Sequence, residues 1–447
     1  MAAKEKNNIP ASILLPRWGF RAVSLALLLF GLVVAYSASS ITAIAANASS
    51  FTYLESQCRY AFMGIVAIAI LWVIPIGAWN GKAGWVIWAI AVILIIITAV
   101  FGVTDYGAQR WLEIGPIKFQ PAELFKPALC IALASLLSSW KSGEYSTWQV
   151  LAMGIIVIGI PIGLLFATQS DLGTTIICGV CILAALLYAG VPVRYIICLV
   201  ALLGVAAIIA IVGTGYRSDR FVYIDPYNDG EGGYGDGYQT IRSWYAFADG
   251  GLFGVGLGNS REKYLYLPAI NTDYVFAAIG EELGLVGCMA VILLFVAFLY
   301  FGLRIAREAA NDFSSILAGT LTTIIVFQAF LNIGCGISLF PMTGKPLPFI
   351  SVGGTSLIST LIMVGLILAV SKETGEEHNF ASKRADLRVL QRVDNNAYAS
   401  HDTINATRNA SHGAEWNAER ATAHNIAQTP RAGISPRGGV RATRERR

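Results

Sequence analysis

The chain has 447 residues, 55% of them hydrophobic and 13% charged, with a mean hydropathy of +0.60 and a formal net charge of +4. Soluble domains carry about 25% charged residues, so the composition excludes an ordinary soluble globule and indicates a polytopic membrane protein. All four histidines (His378, His401, His412 and His424) lie in the C-terminal tail, which excludes a Ser-His-Asp triad, a Cys-His pair or a His-rich zinc site from the membrane body.

A span needs roughly 20 apolar residues. Ten such runs are read, at 18–38, 59–77, 84–103, 122–140, 150–167, 173–190, 194–212, 273–303, 314–336 and 355–371. The predicted fold is all-α: an N-terminus at 1–17, a ten-helix membrane domain over 18–371 with a large extracytoplasmic loop at 213–272 between spans 7 and 8, and a tail at 372–447. Lys and Arg that flank spans stay cytoplasmic. With Lys4, Lys6, Arg17 and Arg21 inside, Lys82, Lys141, Arg194, Arg304, Arg307, Lys383 and Arg384 also fall inside, and both termini are cytoplasmic. Arg110, Lys118, Arg217 and Arg220 then fall outside, against the bias, and need a local reason to be there.

The first span has a basic start and ends in Tyr36-Ser-Ala-Ser-Ser, like a cleavable leader. The length of its apolar run and the nine spans after it favour an uncleaved helix. Six of seven cysteines lie in apolar spans, and only Cys58 is near an aqueous edge. Cys178 and Cys181 form a CxxC on paper, but within a helix they read as small packing residues one turn apart, not as a metal or redox pair.

The outer loop at 37–57 reads as a cap on the bundle. The loop at 104–122 is richer, running through Arg110, Trp111, Glu113 and Lys118 to Gln120-Pro121. Pro is tolerated in a first helical turn, so a helix starts there with Glu123 and Lys126 one turn apart on one face. Charges inside a span are costly, about 2.5–3.5 kcal/mol at its centre, and paired ones suggest a lined cavity; the plain alternative is an ion pair that tolerates burial. Asp171, in Thr168-Gln-Ser-Asp-Leu-Gly-Thr174, can cap the following helix, line a site, or do both.

The stretch around which the rest is organised is 213–287. Arg217 and Arg220 suit a diphosphate, because guanidinium binds phosphate oxygens in a bidentate way; a salt bridge to Asp219 or Asp225 is the alternative. The run 237–251, with Gln239, is amphipathic and predicted to lie in the membrane interface. Gly254-Val-Gly256-Leu-Gly258 lacks the strand and spacing of a dinucleotide fingerprint and reads as close backbone packing. Asp273 stands at the mouth of the eighth span, where a helix cap is its plain reading. Glu281 and Glu282, about two turns deeper, read as structural pairing. Finally, 341–356 is dense in Pro and Gly and contains Ser351; beside a span this means either broken backbone at membrane depth, satisfied by protein or cavity water, or a surface loop.

The runs GAQRWLEIG with QPAELFK, QSDLGT, YQTIRSWYAFADGG, LPAINTDYVFAAIGEELGLVG and PLPFISVGGTS, in that order among ten spans, resemble the SEDS family (shape, elongation, division and sporulation) over about residues 15–375. The resemblance implies a peptidoglycan glycosyltransferase that polymerises lipid II at the outer face of the bacterial cytoplasmic membrane, working with a class B penicillin-binding protein and other division or elongation proteins. It implies no nucleic-acid partner. It places the family's essential acidic residue on Asp273, the Glu and Lys of its QPSE-x-x-K-like motif on Glu123 and Lys126, and the Asp of QPDLGT on Asp171. Ser170 replaces the usual proline and Val352 a frequent tyrosine, which bears on subtype. The run Gly254 to Pro268, with Ser260 and Lys263, leans to the division branch and the septum.

The residue inventory suits that chemistry. Glycosyl transfer from a lipid diphosphate needs a base for a sugar hydroxyl and positive charge for the leaving group. Asp273 can supply the first, and Arg110, Lys126, Arg217 and Arg220 the second, with Gln239, Lys263 and Ser351 as further substrate-binding candidates. Asp273 is either the base or the ligand of a divalent cation, Mg2+ or Mn2+. A lipid flippase or transporter is the rival from another class, and a non-catalytic division scaffold is a third reading. The tail is poor in apolar residues and expected to be disordered, with a basic end able to touch anionic lipid.

Overall fold

The computed structural model describes residues 10–105, 108–114, 117–169, 171–214 and 225–381, with four single positions in the tail. Arg217, Arg220 and Ser170 lie outside the described residues. The chain divides into two compact units, Met1–Asn379 and Phe380–Arg447. The first contains the membrane body.

Its helices are α1 (Ala11–Ala45), α2 (Thr52–Val73), α3 (Lys82–Phe101), α4 (Pro121–Lys141), α5 (Thr147–Gly154), α6 (Ile160–Gln169), α7 (Leu172–Tyr188), α8 (Val193–Thr214), α9 (Tyr238–Gly250), α10 (Val275–Arg307), α11 (Asp312–Gly336) and α12 (Gly354–Ala381). A π turn at Ile155–Gly159 joins α5 to α6 as one span. Each predicted span coincides with a helix, but among the described residues eight are long and apolar enough to cross a membrane. α7, at 17 residues, and the apolar Val193–Leu202 of α8 are shorter.

Composition sorts the helices by depth. α4, α11 and α12 are buried nearly all round and form the centre, whereas α2, α3 and the α5–α6 span expose most of their surface. A helix that is apolar on every side belongs either inside a bundle or against lipid; here small residues mark the inner ones. α4 is buried almost continuously from Pro121 to Leu137, through Ala122, Ala128, Ala132 and Ala134. α1 belongs to this body, packing along α10 with the Phe20 and Phe298 rings 4.6 Å apart between centroids.

Three features correct the sequence reading. The segment after α3 is not all loop: β1 (Val103–Asp105), β2 (Ala108–Ile114) and β3 (Ile117–Phe119) form an antiparallel sheet in the order β1-β2-β3, with Leu112 opposite Phe119 and Glu113 opposite Lys118. Pairing gives this outer segment the backbone hydrogen bonds a helix would otherwise supply, and it brings Lys118 within 3.5 Å of Glu113 and over the Trp111 ring. Second, the last helix does not stop at 371 but continues to Ala381, because Thr374 is buried and Lys372 donates to the Trp72 carbonyl oxygen. Third, α9 is not merely laid on an interface. It buries Thr240, Ile241, Ser243, Ala246 and Gly250 against protein, and Ser243 Oγ donates to the Gly336 carbonyl oxygen at 2.5 Å.

α10 is two helices in line. Its 33 residues would extend about 50 Å at 1.5 Å per residue, well beyond a hydrocarbon core of about 30 Å. Counting roughly 20 residues back from Arg304 reaches Gly284, where the helix breaks with φ 66° and ψ −164°. The freed backbone groups pair with the segment after α9. Val255 N donates to Glu281 O at 2.9 Å and Gly256 N to Glu282 O at 3.0 Å, while Leu285 N and Val286 N donate to the Gly251 and Leu252 carbonyl oxygens. This exchange requires the glycines: Gly254 has φ +79°, and a Cβ there would collide with the Glu282 carbonyl. The close backbone packing read from the sequence is therefore present.

The two ends of the bundle differ in kind. Lys141 Nζ pairs with Asp312 Oδ1 at 2.6 Å, tying the end of α4 to the start of α11, and Arg304 and Arg307 close α10 there. At the opposite end stand Gln120, Asp171, Asp273 and the irregular chain between α11 and α12.

Candidate active site

That irregular chain, 337–353, is the broken backbone expected from its prolines and glycines. It carries buried Leu347, Phe349 and Ile350, and protein satisfies its polar groups, as burial away from water demands. Gln328 Nε2 donates to Pro346 O at 2.9 Å, Asn332 Nδ2 to Lys345 O at 2.8 Å, Gln57 Nε2 to Ser351 O at 2.9 Å, and Leu347 N to Ser351 Oγ at 2.8 Å. Ser351 Oγ in turn donates to Thr272 O at 2.5 Å, and Val352 N to Asn271 O at 2.9 Å. Ser351 thus joins this segment to the residue before Asp273.

Asp273 sits in a tight turn rather than in the helix. Its amide and that of Tyr274 donate to Ala269 O, and Ala269 holds φ 55°. Asp273 is therefore no side-chain cap of α10, which lacks one. Its side chain keeps partial access to solvent, and no hydrogen bond or ion pair among the described residues engages its carboxylate. Burial pushes that carboxyl up to about 6, against the attraction of Lys345 and Arg110.

The neighbouring carboxylates are all engaged. Asp171 does both jobs open to it. It caps α7, accepting from Thr174 N at 3.0 Å, and it pairs with Lys345 Nζ at 2.7 Å, both side chains being about 2% exposed or less. Burial would raise its carboxyl, but Lys345, the Thr174 amide and Arg110 prevail and hold it at about 2. Gln120 Nε2 reaches the same carboxylate at 3.3 Å. On α4, Glu123 and Lys126 pair at 2.7 Å, each 2% exposed, and Lys126 Nζ also donates to Gln328 Oε1 at 2.6 Å. The pair is structural, yet Glu123 Oε1 is buried without a partner, as are both amide atoms of Gln169. Arg110, on β2, donates from Nε to Gln169 O at 2.9 Å, and its charge reaches both Asp171 and Asp273.

Other candidates serve the break in α10. Lys263 is 2% exposed and donates to Gly258 O at 2.5 Å and to Glu282 Oε1 at 3.1 Å; Ser37 Oγ donates to the same carboxylate. Glu281 accepts from Ser260 Oγ and Arg261 N, each at 2.5 Å. Glu281 and Glu282 are thus structural, as read from the sequence: Lys263 is the counter-charge of Glu282, and Glu281 is held by hydrogen bonds from Ser260 and the Arg261 amide. Glu262 stands 2.8 Å from Arg242 Nε in an ion pair whose N–H is not aligned for a hydrogen bond; burial pushes its carboxyl up to about 7, with Arg242 opposing. Gln239 is half-buried near the start of α9 and makes no hydrogen bond among the described residues.

The structure therefore brings together Asp273, Asp171, Arg110, Glu123 and Lys126, and adds Lys345, Gln120, Gln169, Gln328 and Asn332. Lys345 was legible: it is the single basic residue between 309 and 371, and the charge-bias argument that marked Arg110 applies to it equally. The amides carried no such signal.

Among the described residues no group of three His, Cys, Asp or Glu side chains is placed to hold a metal ion. Asp273 is a single carboxylate beside cationic groups. Such a donor fits a hard cation that brings its other ligands as phosphate oxygens and water, the usual habit of Mg2+.

Residues 17–376 match the profile of the FtsW/RodA/SpoVE family, described as cell cycle proteins. A protein of Synechocystis sp. named "Probable peptidoglycan glycosyltransferase FtsW" is 33% identical over 358 residues, covering 80% of this chain and 89% of its own. Stage V sporulation protein E of Bacillus subtilis is 35% identical over 357 residues, covering 78% and 95%. In fold the chain is similar to a chain of a peptidoglycan synthase complex that coordinates polymerization and crosslinking (TM-score 0.65, 24% identity, 80% of this chain and 98% of that one). It is also similar to the rod shape determining protein RodA of Thermus thermophilus (TM-score 0.58, 24% identity, 80% and 96%). With the profile matched across the membrane body and relatives at 33% and 35% identity over most of both chains, this multi-pass membrane protein belongs to the FtsW/RodA/SpoVE family, the SEDS proteins.

Proposed function

We propose that the chain is a peptidoglycan glycosyltransferase that polymerises lipid II at the outer face of the bacterial cytoplasmic membrane. The observation that carries this reading is the Asp273 carboxylate, without a partner among the described residues, at the end of the bundle where Lys345 and Arg110 supply positive charge. Relatives named peptidoglycan glycosyltransferase support the reaction class.

Asp273 accepts the proton of the GlcNAc 4-hydroxyl of one lipid II as that oxygen bonds to the anomeric carbon of the other substrate. The bond from that carbon to undecaprenyl diphosphate breaks, and the leaving group takes the electron pair. A carboxylate held near 6 suits this task, because it is ionised at neutral pH yet basic enough to share a proton. Arg110 and Lys345 face the negative charge that develops on the diphosphate. Lys126 stands behind them, committed to Glu123 and Gln328. Arg217 and Arg220 are further diphosphate ligands in this reading, Gln239 a sugar contact, and Ser351 acts by holding Thr272. Were Mg2+ or Mn2+ to take part, Asp273 would be the residue to hold it, and the cation would supply charge neutralisation at the diphosphate.

The likeness in fold to a chain of a synthase complex supports a class B penicillin-binding protein as partner, and relatives named FtsW favour division at the septum. Both termini lie in the cytoplasm in this reading, with the Lys141, Arg304 and Arg307 end inside. Reconstitution in vesicles with lipid II and the partner tests it: glycan polymer is the expected product, and lipid movement without polymer would replace the enzyme with a transporter.

A further inference from the structure

Asn332 lies near the end of α11, 1% exposed, and no sequence motif marks it. Its Nδ2 donates to two backbone carbonyl oxygens at once, Asp273 O at 2.9 Å and Lys345 O at 2.8 Å. Its Oδ1 is buried and has no partner. The amide orientation follows from chemistry: two acceptors call for the NH2 group, so a flipped side chain would set oxygen against oxygen.

Both segments it joins are irregular. Asn271, Thr272 and Asp273 each present a carbonyl oxygen to a donor from across the site, namely Val352 N, Ser351 Oγ and Asn332 Nδ2. Of these three donors, Asn332 alone also bonds the backbone of Lys345. The Lys345 ammonium is fixed at its far end by Asp171 and Thr174. One side-chain amide therefore bonds directly to both the backbone that carries the Asp273 carboxylate and the backbone that carries the Lys345 cation.

We propose that Asn332 is a positioning residue, which holds the Asp273 backbone against the Lys345 backbone so that base and cation stand at a fixed distance. This rests on the glycosyltransferase reading above. Asn is the smallest side chain with two N–H groups on one nitrogen. Asp has the same shape and no donor when ionised, and Ser keeps a single donor.

The test is lipid II polymerisation by the reconstituted chain with its partner, for wild type, Asn332→Ala, Asn332→Ser and Asp273→Ala, normalised to folded protein. A misplacement on the order of 1 Å in an active site costs about 100-fold in rate. Asn332→Ala is accordingly expected to lose about 100-fold in kcat with little change in KM for lipid II. Asn332→Ser, which preserves one donor if Ala folds poorly, is expected to fall between Ala and wild type. The split between kcat and KM, measured per folded molecule, separates positioning from mere loss of fold: a misplaced base lowers kcat alone, whereas a disturbed binding surface raises KM. Wild-type kcat, or a loss carried by KM, would overturn the proposal. Full activity of Asp273→Ala would overturn the glycosyltransferase reading instead.

Discussion

Lys345 Nζ lies 2.7 Å from Asp171 Oδ2, with both side chains almost wholly buried, and this contact pins the irregular chain between α11 and α12 to the first turn of α7. It couples the only basic group of that chain to the cap of a helix whose neighbouring turn carries Gln169. Removing one partner strands the other as a buried charge, which costs about 3–5 kcal/mol, whereas replacing both with apolar groups of similar volume is often neutral. Asp171→Leu and Lys345→Met should each lower the thermal midpoint of the detergent-solubilised protein strongly, and the double variant should recover much of the loss.

The pH dependence follows from Asp273. Its carboxyl is raised to about 6, and the base must be ionised to act. Polymerisation should therefore fall as pH drops through about 6 and level off above it. Arg110 lowers this value by attraction, so Arg110→Gln should move the acid limb to higher pH. Initial rates across pH 5 to 8, with lipid II saturating, check both the position and the sign.

The break in α10 predicts a backbone effect far from the chemistry. Gly284 combines φ +66° with ψ −164°, and a Cβ there would collide with Gly254 N. Gly284→Ala should cost about 1–3 kcal/mol from the dihedral alone, and more from the collision. Gly163, in α6, has open space around its Cβ position, and Gly163→Ala should gain up to about 1 kcal/mol of helix propensity. Comparative melting of the two variants measures the difference.

Asp273 is the one carboxylate of the site that no lysine pairs among the described residues, which makes a prediction about cations. If Mg2+ enters with the substrate diphosphate, chelation should stop polymerisation and Mg2+ or Mn2+ should restore it. Asp273→Glu, which retains a ligand at longer reach, should then require more Mg2+ for half-maximal rate than wild type. A Mg2+ titration at saturating lipid II reads this out.

The legible parts of the structure are those written in composition and charge. Apolar run length located a helix at each run read, eight of them long and apolar enough to cross a membrane among the described residues, and the charge pattern set Arg110 apart. Proline at Pro121 fixed the start of α4 and with it the Glu123–Lys126 pair. The dense Pro and Gly run gave the broken chain holding Ser351. What escaped depends on contacts distant in sequence. Lys345 and Asp171 are 174 residues apart, and Lys263 is bound to Glu282 only because the break at Gly284 brings the loop after α9 alongside α10. The sheet at 103–119 was missed because two of its three strands are only 3 residues long, and runs that short carry little periodicity. Asn332 and Gln328 are neutral amides within an apolar helix, where residue type alone does not distinguish a brace from a tolerated polar group.

The most direct measurement is glycan polymer formed from purified lipid II by the full chain with its penicillin-binding partner in lipid vesicles, comparing wild type with Asp273→Ala and Asp273→Asn. Wild type is expected to form polymer and neither variant any, with both variants retaining the wild-type melting profile. Polymer at the wild-type rate from a folded Asp273→Ala protein would contradict the role of Asp273 as the base.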